Sequence, residues 1–331
     1  MPFRRILLVL AVAALLTGCT VAPAIFNPAG PIAADEAHLF TTILWMSLPI
    51  FLIVDVGIIV ILIRNHQRKG DTTEPRQVHS NTRLEVIWTV IPILLVITIF
   101  VLTVVTMRAV AAPQPAAGDV NVTVVGHRWW WEFDYPDLGI VTANELHIPA
   151  NARVQITLKS VDVIHSFWVP ELSGKTDVIP GQENHMWLTS PKPGTYQGQC
   201  AEFCGTQHAN MRFRVIVDTQ GDFNAWASAQ QQNPAPPTDA LAQQGEKLVV
   251  NGVCVGCHTI NGTNAKGTVG PNLTHLFSRK TFAGGIAELN DQNLTAWLEN
   301  PGNLKPGNNM QNVHVAPENI PAILAFLHTL Q

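Results

Sequence analysis

Two apolar runs, Leu39 to Ile63 and Val86 to Val105, are each long enough to cross a lipid bilayer as an α-helix. The first carries a single charge, Asp55, and the second carries none. Between them lie Arg64, Arg68, Lys69, Arg76 and Arg83, so the connecting loop belongs on the cytoplasmic side. The N-terminus and everything after Met107 then face outward. Composition agrees, because 47% of the 331 residues are apolar and only 13% are charged, a low figure for a soluble chain. The net charge of −4 gives no basic footprint for nucleic acid, which excludes that class of partner.

The extreme N-terminus supports the same orientation. Arg4 and Arg5 precede an apolar stretch of the length of a secretory signal core. That stretch ends in Leu16-Thr17-Gly18-Cys19, which resembles the lipobox of bacterial lipoproteins. The resemblance implies that residues 1–18 are removed and that Cys19 becomes a lipidated N-terminus. A plain signal peptide or signal anchor is the alternative. Residues 19–38 then form an exported segment, 39–63 and 84–107 the membrane helices, and 64–83 the cytoplasmic loop.

From 119 to 218 the pattern changes to short β-branched runs, among them VNVTVV, ARVQITLKSV and FRVIV, separated by Pro and Gly turns. Many short strands with such punctuation predict an all-β sandwich or barrel. Residues 219–240 read as a short helix running into a Pro/Ala/Gln-rich linker. The last unit, 241–331, has a helical start (ALAQQGEKLVV) and a helical end (IPAILAFLHTL), and no internal repeat is present.

The five cysteines form one single, Cys19, and two close pairs, Cys200/Cys204 and Cys254/Cys257. This is a pattern of local sites and not of a disulfide framework. The first pair sits in CAEFCGTQHANM, residues 200–211, with His208 and Met211 in the same loop. A disulfide leaves the histidine and the methionine unexplained. Two thiolates, an imidazole and a thioether make a soft donor set of the kind copper prefers. A mononuclear blue-copper site needs one thiolate, so a second suggests two metals sharing both sulfurs. His165, in VIHSFWVP at the end of an expected strand, is well placed to supply a further donor.

Cys-x-Glu-x-Cys-Gly-x-x-His-x-x-Met with an upstream His-Ser-Phe resembles the dinuclear CuA site of the cytochrome c oxidase subunit II family. The likeness runs from residue 39 to 218, membrane helices included. It implies a cupredoxin sandwich in which Cys200 and Cys204 bridge two coppers. His165 and Met211 would complete one copper, His208 and the Glu202 carbonyl the other. All positions are filled by protein, which suits an electron carrier and leaves no open site for substrate. By the same resemblance, Trp129 in Gly126-His127-Arg128-Trp129-Trp130-Trp131 is where electrons enter, although the family usually has Gln where Arg128 stands. Glu85, in Leu84-Glu85-x-x-Trp88, would be the acidic group at the cytoplasmic mouth of a proton path. The Glu202 carboxylate would hold a Mg²⁺ at the boundary with subunit I.

Cys254-Val-Gly-Cys257-His258 reads as a covalent haem c attachment, with two thioethers and His258 as proximal iron ligand. A zinc ribbon would need a second ligand pair, which the sequence lacks. Met310 is the only methionine after Met211 and is the expected sixth ligand, with His275 and His314 as rivals. Gly270-Pro271-Asn272-Leu273 resembles the segment that supports the proximal histidine in class I cytochromes c.

The expected fold is therefore multidomain: a two-helix hairpin, an all-β cupredoxin sandwich and an all-α cytochrome c unit. The resemblance implies subunit II of a caa3-type cytochrome c oxidase in the bacterial plasma membrane, with both soluble units on the outer face. Electrons would pass from a donor, such as a cytochrome c or an upstream complex, through haem c and CuA to subunit I, with subunit III as a further partner. There O₂ would be reduced to water with proton translocation. A CuA-bearing nitric oxide reductase subunit and a copper-delivery protein are the alternatives. The linker reads as a tether that would hold the haem near Trp129 at a roughly millimolar effective concentration.

Overall fold

The computed structural model describes residues 25–66, 70, 74, 77 and 80–331. Cys19 and its lipobox, and Arg68, Lys69 and Arg76 of the basic loop, lie outside the described residues.

Helix α1 spans Pro31–Arg64 and α2 spans Thr82–Val110. Both are apolar all round, and the stretches long enough to cross a membrane bury nothing inside the protein. Such a surface is stable only in lipid. Proline at the first turn suits the start of α1, because its missing N–H would be unpaired there anyway. At the start of α2, Asn81 Oδ1 accepts from the Leu84 N–H at 3.2 Å and Glu85 Oε1 accepts from the Asn81 N–H at 3.3 Å. Glu85 thus has a capping function at this helix end.

Helix α1 begins eight residues before the apolar run because its first turn serves a second environment. Ile32 and Ala33 are buried at the helix's outer end. The Ala29 and Gly30 N–H groups donate to the Glu171 carbonyl, and Ser190 Oγ donates to the Ala29 carbonyl. Trp187 Nε1 donates to the carbonyl of Val110 at 3.1 Å. Both helices are therefore fastened to the β unit at the membrane surface.

That unit is a sandwich of two five-stranded sheets. The first runs in the order β3 (Ile140–Ala143), β2 (Trp130–Tyr135), β1 (Val120–His127), β5 (Val154–Ser160) and β8 (Asn184–Leu188). The second runs β4 (Glu145–Pro149), β10 (Arg212–Asp218), β9 (Gly194–Cys200), β6 (His165–Val169) and β7 (Ser173–Val178). β1 pairs parallel with β5, and β4 with β10, as expected of a Greek-key-like arrangement and not a simple meander. Inward residues alternate with outward ones, as in Val122 and Val124 or Val154, Ile156 and Leu158. Trp131, Phe133, Phe167 and Phe213 fill the centre in mostly edge-to-face contacts.

Helix α3 (Gln220–Gln230) closes one end of the sandwich through Phe223 and Trp226. The C-terminal unit has its own core, built on α4 (Ala240–Val250), α5 (Asp291–Glu299), the short α6 (Pro301–Leu304) and α7 (Ile320–Leu327). A two-stranded hairpin, β11 (Thr281–Phe282) with β12 (Ala287–Glu288), completes it.

The two soluble units are seated against each other, which differs from the free tether expected of the linker. The buried Glu145 carboxylate accepts from the N–H groups of Lys280 and Thr281 and from Thr281 Oγ1, at 2.9–3.0 Å. Asn309 Nδ2 donates to the Arg128 carbonyl at 2.8 Å, the Arg212 N–H to the Gly284 carbonyl at 2.8 Å, and Gln207 to the Pro306 carbonyl. Linker flexibility does not set this position; paired polar groups do.

Candidate metal centres

The loop from Cys200 to Met211 joins two adjacent antiparallel strands, β9 and β10. The pairing of Arg212 with Gln199 and the Cys200 N–H to Met211 carbonyl bond hold its ends together. On the other side β6 pairs with β9, with Phe167 opposite Cys200, and this register carries His165 to the same place. Cys200, Cys204, His165 and Met211 are all buried.

The sulfurs of Cys200 and Cys204 lie 3.7 Å apart, well beyond the ~2.05 Å of a disulfide. His165 Nδ1 is 3.8 Å from the Cys200 sulfur, and the Glu202 carbonyl is 3.2 Å from it. His208 Nδ1 is 3.7 Å and Met211 Sδ 3.8 Å from the Cys204 sulfur. All six donors expected from the sequence thus converge, and each sulfur has one member of each expected ligand pair beside it. The donor set of two thiols, two imidazoles, a thioether and a carbonyl fits copper. Among the described residues, His165, Cys200 and Cys204 form the one cluster of three such ligand groups.

Electrostatics favour metal binding. The hydrogen-bonded contact with the Cys204 sulfur holds the Cys200 thiol far below its ordinary value, with His165 acting in the same sense, while Cys204 is pushed up. Metal binds the thiolate, and the downward shift of the Cys200 thiol favours that form. Burial presses the His165 imidazole down, but its bonds to Asp162 and Cys200 outweigh this and raise it. His165 Nε2 lies 2.8 Å from Asp162 Oδ1, an oxygen that can only accept, so Nε2 carries the proton and Nδ1 faces the sulfurs. Asp162 also accepts from the Arg128 N–H at 2.7 Å. Sequence reasoning missed Asp162, although its place three residues before His165 in DVIH was a usable signal.

Of the three consecutive tryptophans, Trp131 is core and Trp130 stacks on His127. Trp129 is half-buried, and its Nε1–H donates to the Cys204 carbonyl at 3.0 Å. Glu202 is half-buried, and among the described residues its carboxylate belongs to no cluster of three such ligand groups.

In the C-terminal unit an apolar cavity is lined by Cys254, Cys257, His258, Leu273, Leu298 and Met310, and also by Arg128 and Trp129 of the sandwich. His258 Nδ1 lies 2.7 Å from the Pro271 carbonyl, an acceptor, which leaves Nε2 as the lone-pair donor. Burial pushes this imidazole below its ordinary value, which favours the neutral form that ligates metal. A Cβ on Gly270 would fall 2.6 Å from the His258 ring, so only glycine permits this seat. His275 is used elsewhere, with its ring nitrogens on the Gln331 and Gln230 carbonyl oxygens. His314 is exposed and its Nδ1 faces the Glu299 carbonyl. Neither lines the cavity, whereas Met310 does.

The cavity fits a haem. Its walls are apolar, and buried Arg279 lines it with an Nε–H that has no partner. Burial pushes that guanidinium down to about 10, against the pull of Glu145. A haem carboxylate is the kind of group such a donor requires. Arg279, Glu145 and Lys305 were not singled out by sequence reasoning, since isolated charged residues carry no motif.

Three family descriptions match the chain: "Cytochrome C oxidase subunit II, transmembrane domain" over 20–105, "Cytochrome C oxidase subunit II, periplasmic domain" over 140–219, and "Cytochrome c" over 242–331. A cytochrome c oxidase subunit 2 of Alkalihalophilus pseudofirmus is 38% identical over 324 residues, 96% of this chain and 94% of that relative. The cytochrome c oxidase subunit 2 of Bacillus subtilis is 35% identical over 332 residues, 94% of this chain and 92% of that relative. A quinol oxidase subunit 2 of the same species is 36% identical over 236 residues, 70% of this chain and 73% of that relative. The matches put the sandwich on the periplasmic side of a membrane and imply copper in it and haem in the C-terminal unit. Alignment over nearly the full length of such subunits means that the chain belongs to the cytochrome c oxidase subunit II family, components of the enzyme complex classed EC 7.1.1.9.

Proposed function

We propose that this chain is the electron-relaying subunit II of a caa3-type oxidase, taking electrons from a donor such as cytochrome c and passing them to subunit I for reduction of O₂ to water. In this reading Cys200 and Cys204 would hold both coppers of CuA, His165 and Met211 would serve one, and His208 and the Glu202 carbonyl the other. Cys254 and Cys257 would hold haem c through thioethers, and His258 and Met310 would be the ligands of its iron. Met310 as sixth ligand would set a high potential, which suits an electron donor to copper. When bound, these groups supply one-electron storage; the protein's part is to hold them close and in register.

One observation carries the reading. Trp129 lines the haem cavity and at the same time donates its indole N–H to the Cys204 carbonyl at 3.0 Å. A single side chain therefore bridges the two candidate centres, which supports Trp129 as the point where electrons enter the sandwich. Asp162 orients His165 and also binds the backbone before Trp129, so the loop and the ligand are set by one carboxylate.

The remaining assignments follow from the same reading. Glu85 stands at the cytoplasmic end of α2, where it would serve a proton path as well as its capping role. The Glu202 carboxylate would hold Mg²⁺ only together with oxygen donors from subunit I. Lipidated Cys19 would add a second anchor, and subunit III would complete the complex. The soluble units would span 119–218 and 241–331.

The test is flash reduction of the purified complex, with copper and covalent haem quantified beforehand. The expected result is two coppers and one covalent haem per chain, with haem oxidation and CuA reduction proceeding at one shared rate independent of enzyme concentration. A chain with one exchangeable copper, or a haem that never reduces CuA, would overturn the reading.

A further inference from the structure

The seat between the two soluble units closes on one buried ammonium group. Lys305 is 3% exposed, and its Nζ donates to the carbonyls of Trp129 at 2.7 Å, Asn210 at 2.9 Å and Ala283 at 2.9 Å. An ammonium has three N–H groups, and all three are used. Each acceptor belongs to a different loop. Trp129 is the residue bonded to Cys204, Asn210 directly precedes Met211, and Ala283 lies in the hairpin that walls the haem cavity.

We propose that Lys305 is the positioning residue that holds the haem-bearing unit in register with Trp129, by joining the tryptophan loop, the metal-ligand loop and the haem-side hairpin through one ammonium group. The proposal rests on the relay reading above. It adds a residue that is not among the candidate ligands and acts through the backbone carbonyls of Trp129, Asn210 and Ala283.

Surrounding features fit this function. Gly284 carries φ +78, and a Cβ there would collide with Lys305 Nζ and come within 2.9 Å of the Asn210 and Trp129 carbonyls. The space between Gly284 and the ammonium thus has no room for a side chain. The Asn308 side chain accepts from the Met310 N–H at 2.7 Å, and Asn309 Nδ2 donates to the Arg128 carbonyl at 2.8 Å. The segment from Lys305 to Met310 therefore runs from the ammonium to the expected axial ligand, touching the tryptophan loop at both ends. Burying a charge is costly unless its hydrogen bonds are met, and here they are met only when the three loops coincide. That condition makes the ammonium a sensor of register and not merely an adhesive. A residue serving only to stabilise the C-terminal unit would bind within that unit, whereas two of these three acceptors lie in the sandwich.

The relevant step is a single electron transfer in which a ferrous haem becomes ferric and the dicopper centre takes up the same electron, with no bond made or broken. The experiment uses the complete complex with Lys305→Met and, separately, Lys305→Gln, which retains two of the three N–H donors. After flash injection of one electron into the haem, the haem-to-CuA rate should fall at least tenfold in Lys305→Met and by a smaller factor in Lys305→Gln. The copper and haem spectra, both midpoint potentials and the donor-to-haem rate should stay at wild-type values, which a general loss of folding would not allow. A Lys305→Met or Lys305→Gln complex that transfers within twofold of wild type would overturn the proposal. A wild-type haem that fails to reduce CuA would instead overturn the relay reading on which it stands.

Discussion

Glu145→Ala should release the haem-bearing unit from the sandwich without unfolding either. Glu145 is 3% exposed at the start of β4, and its carboxylate accepts from three groups of the other unit: the Lys280 N–H, the Thr281 N–H and Thr281 Oγ1. Truncation leaves three polar hydrogens without their acceptor and removes the nearby negative charge felt by the buried Arg279 guanidinium. A buried donor left unpaired costs about 1–3 kcal/mol. Allowing for water reaching part of the opened site, the docked state should lose about 3–6 kcal/mol in total. Each 1.4 kcal/mol is a factor of ten, so the docked-to-open ratio should fall by roughly 10²–10⁴. Hydrogen–deuterium exchange with mass spectrometry reads this directly, because the Lys280 and Thr281 amides are themselves seat bonds. Exchange in a peptide covering 279–285 should quicken toward the free-amide rate, while β5 at the sandwich core stays protected. Equal protection of 279–285 in variant and wild type would refute the claim that this carboxylate holds the seat.

Other outcomes follow from the same geometry. Cys200→Ser should abolish the mixed-valence near-infrared and EPR signals, since one thiolate cannot bridge two coppers as a pair does; retention of both signals would sink the copper assignment. Asp162→Asn keeps the shape beside His165 but removes the charge, and copper should bind roughly tenfold more weakly, at the lower end of the usual effect of such partners, measured by chelator competition. Met310→Leu should leave haem covalently attached yet lower its midpoint potential in redox titration, because a thioether ligand raises it. Mass spectrometry of the mature chain should find Cys19 as the first residue, carrying diacylglycerol.

The donor cluster was legible in the sequence because soft donors crowded into residues 200–211 have few structural reasons to be there. CVGCH at 254–258 is equally local. Chemistry written within a dozen residues survives any uncertainty about fold. His165 could be nominated but not placed, since its position depends on the β6–β9 register, a long-range pairing no local pattern states. The helices were legible from their apolar runs, but not the extension of α1 to Pro31, which exists because Ile32 and Ala33 pack at the sandwich surface. The seat was not legible at all. Glu145 meets partners 135 and 136 positions away, and Lys305 meets Trp129 across 176. Lone charges at such separations look like ordinary surface residues until the fold brings them together.

The seat bears on the physics of the proposed relay. A Pro-rich linker alone would give encounters at a roughly millimolar effective concentration, with every docking angle sampled. The interface instead buries Glu145, Arg279 and Lys305, at 3%, 7% and 3% exposure. Buried charges are poor adhesives, because desolvation offsets much of their attraction. They are good discriminators, because a shifted dock would leave them unpaired at a cost that apolar contacts would not impose. Tunnelling between a haem and a copper pair depends on separation and orientation more than on the strength of contact. A polar seat around Trp129 would supply that orientation in the proposed relay, and the linker would have only to keep the two halves within reach of it.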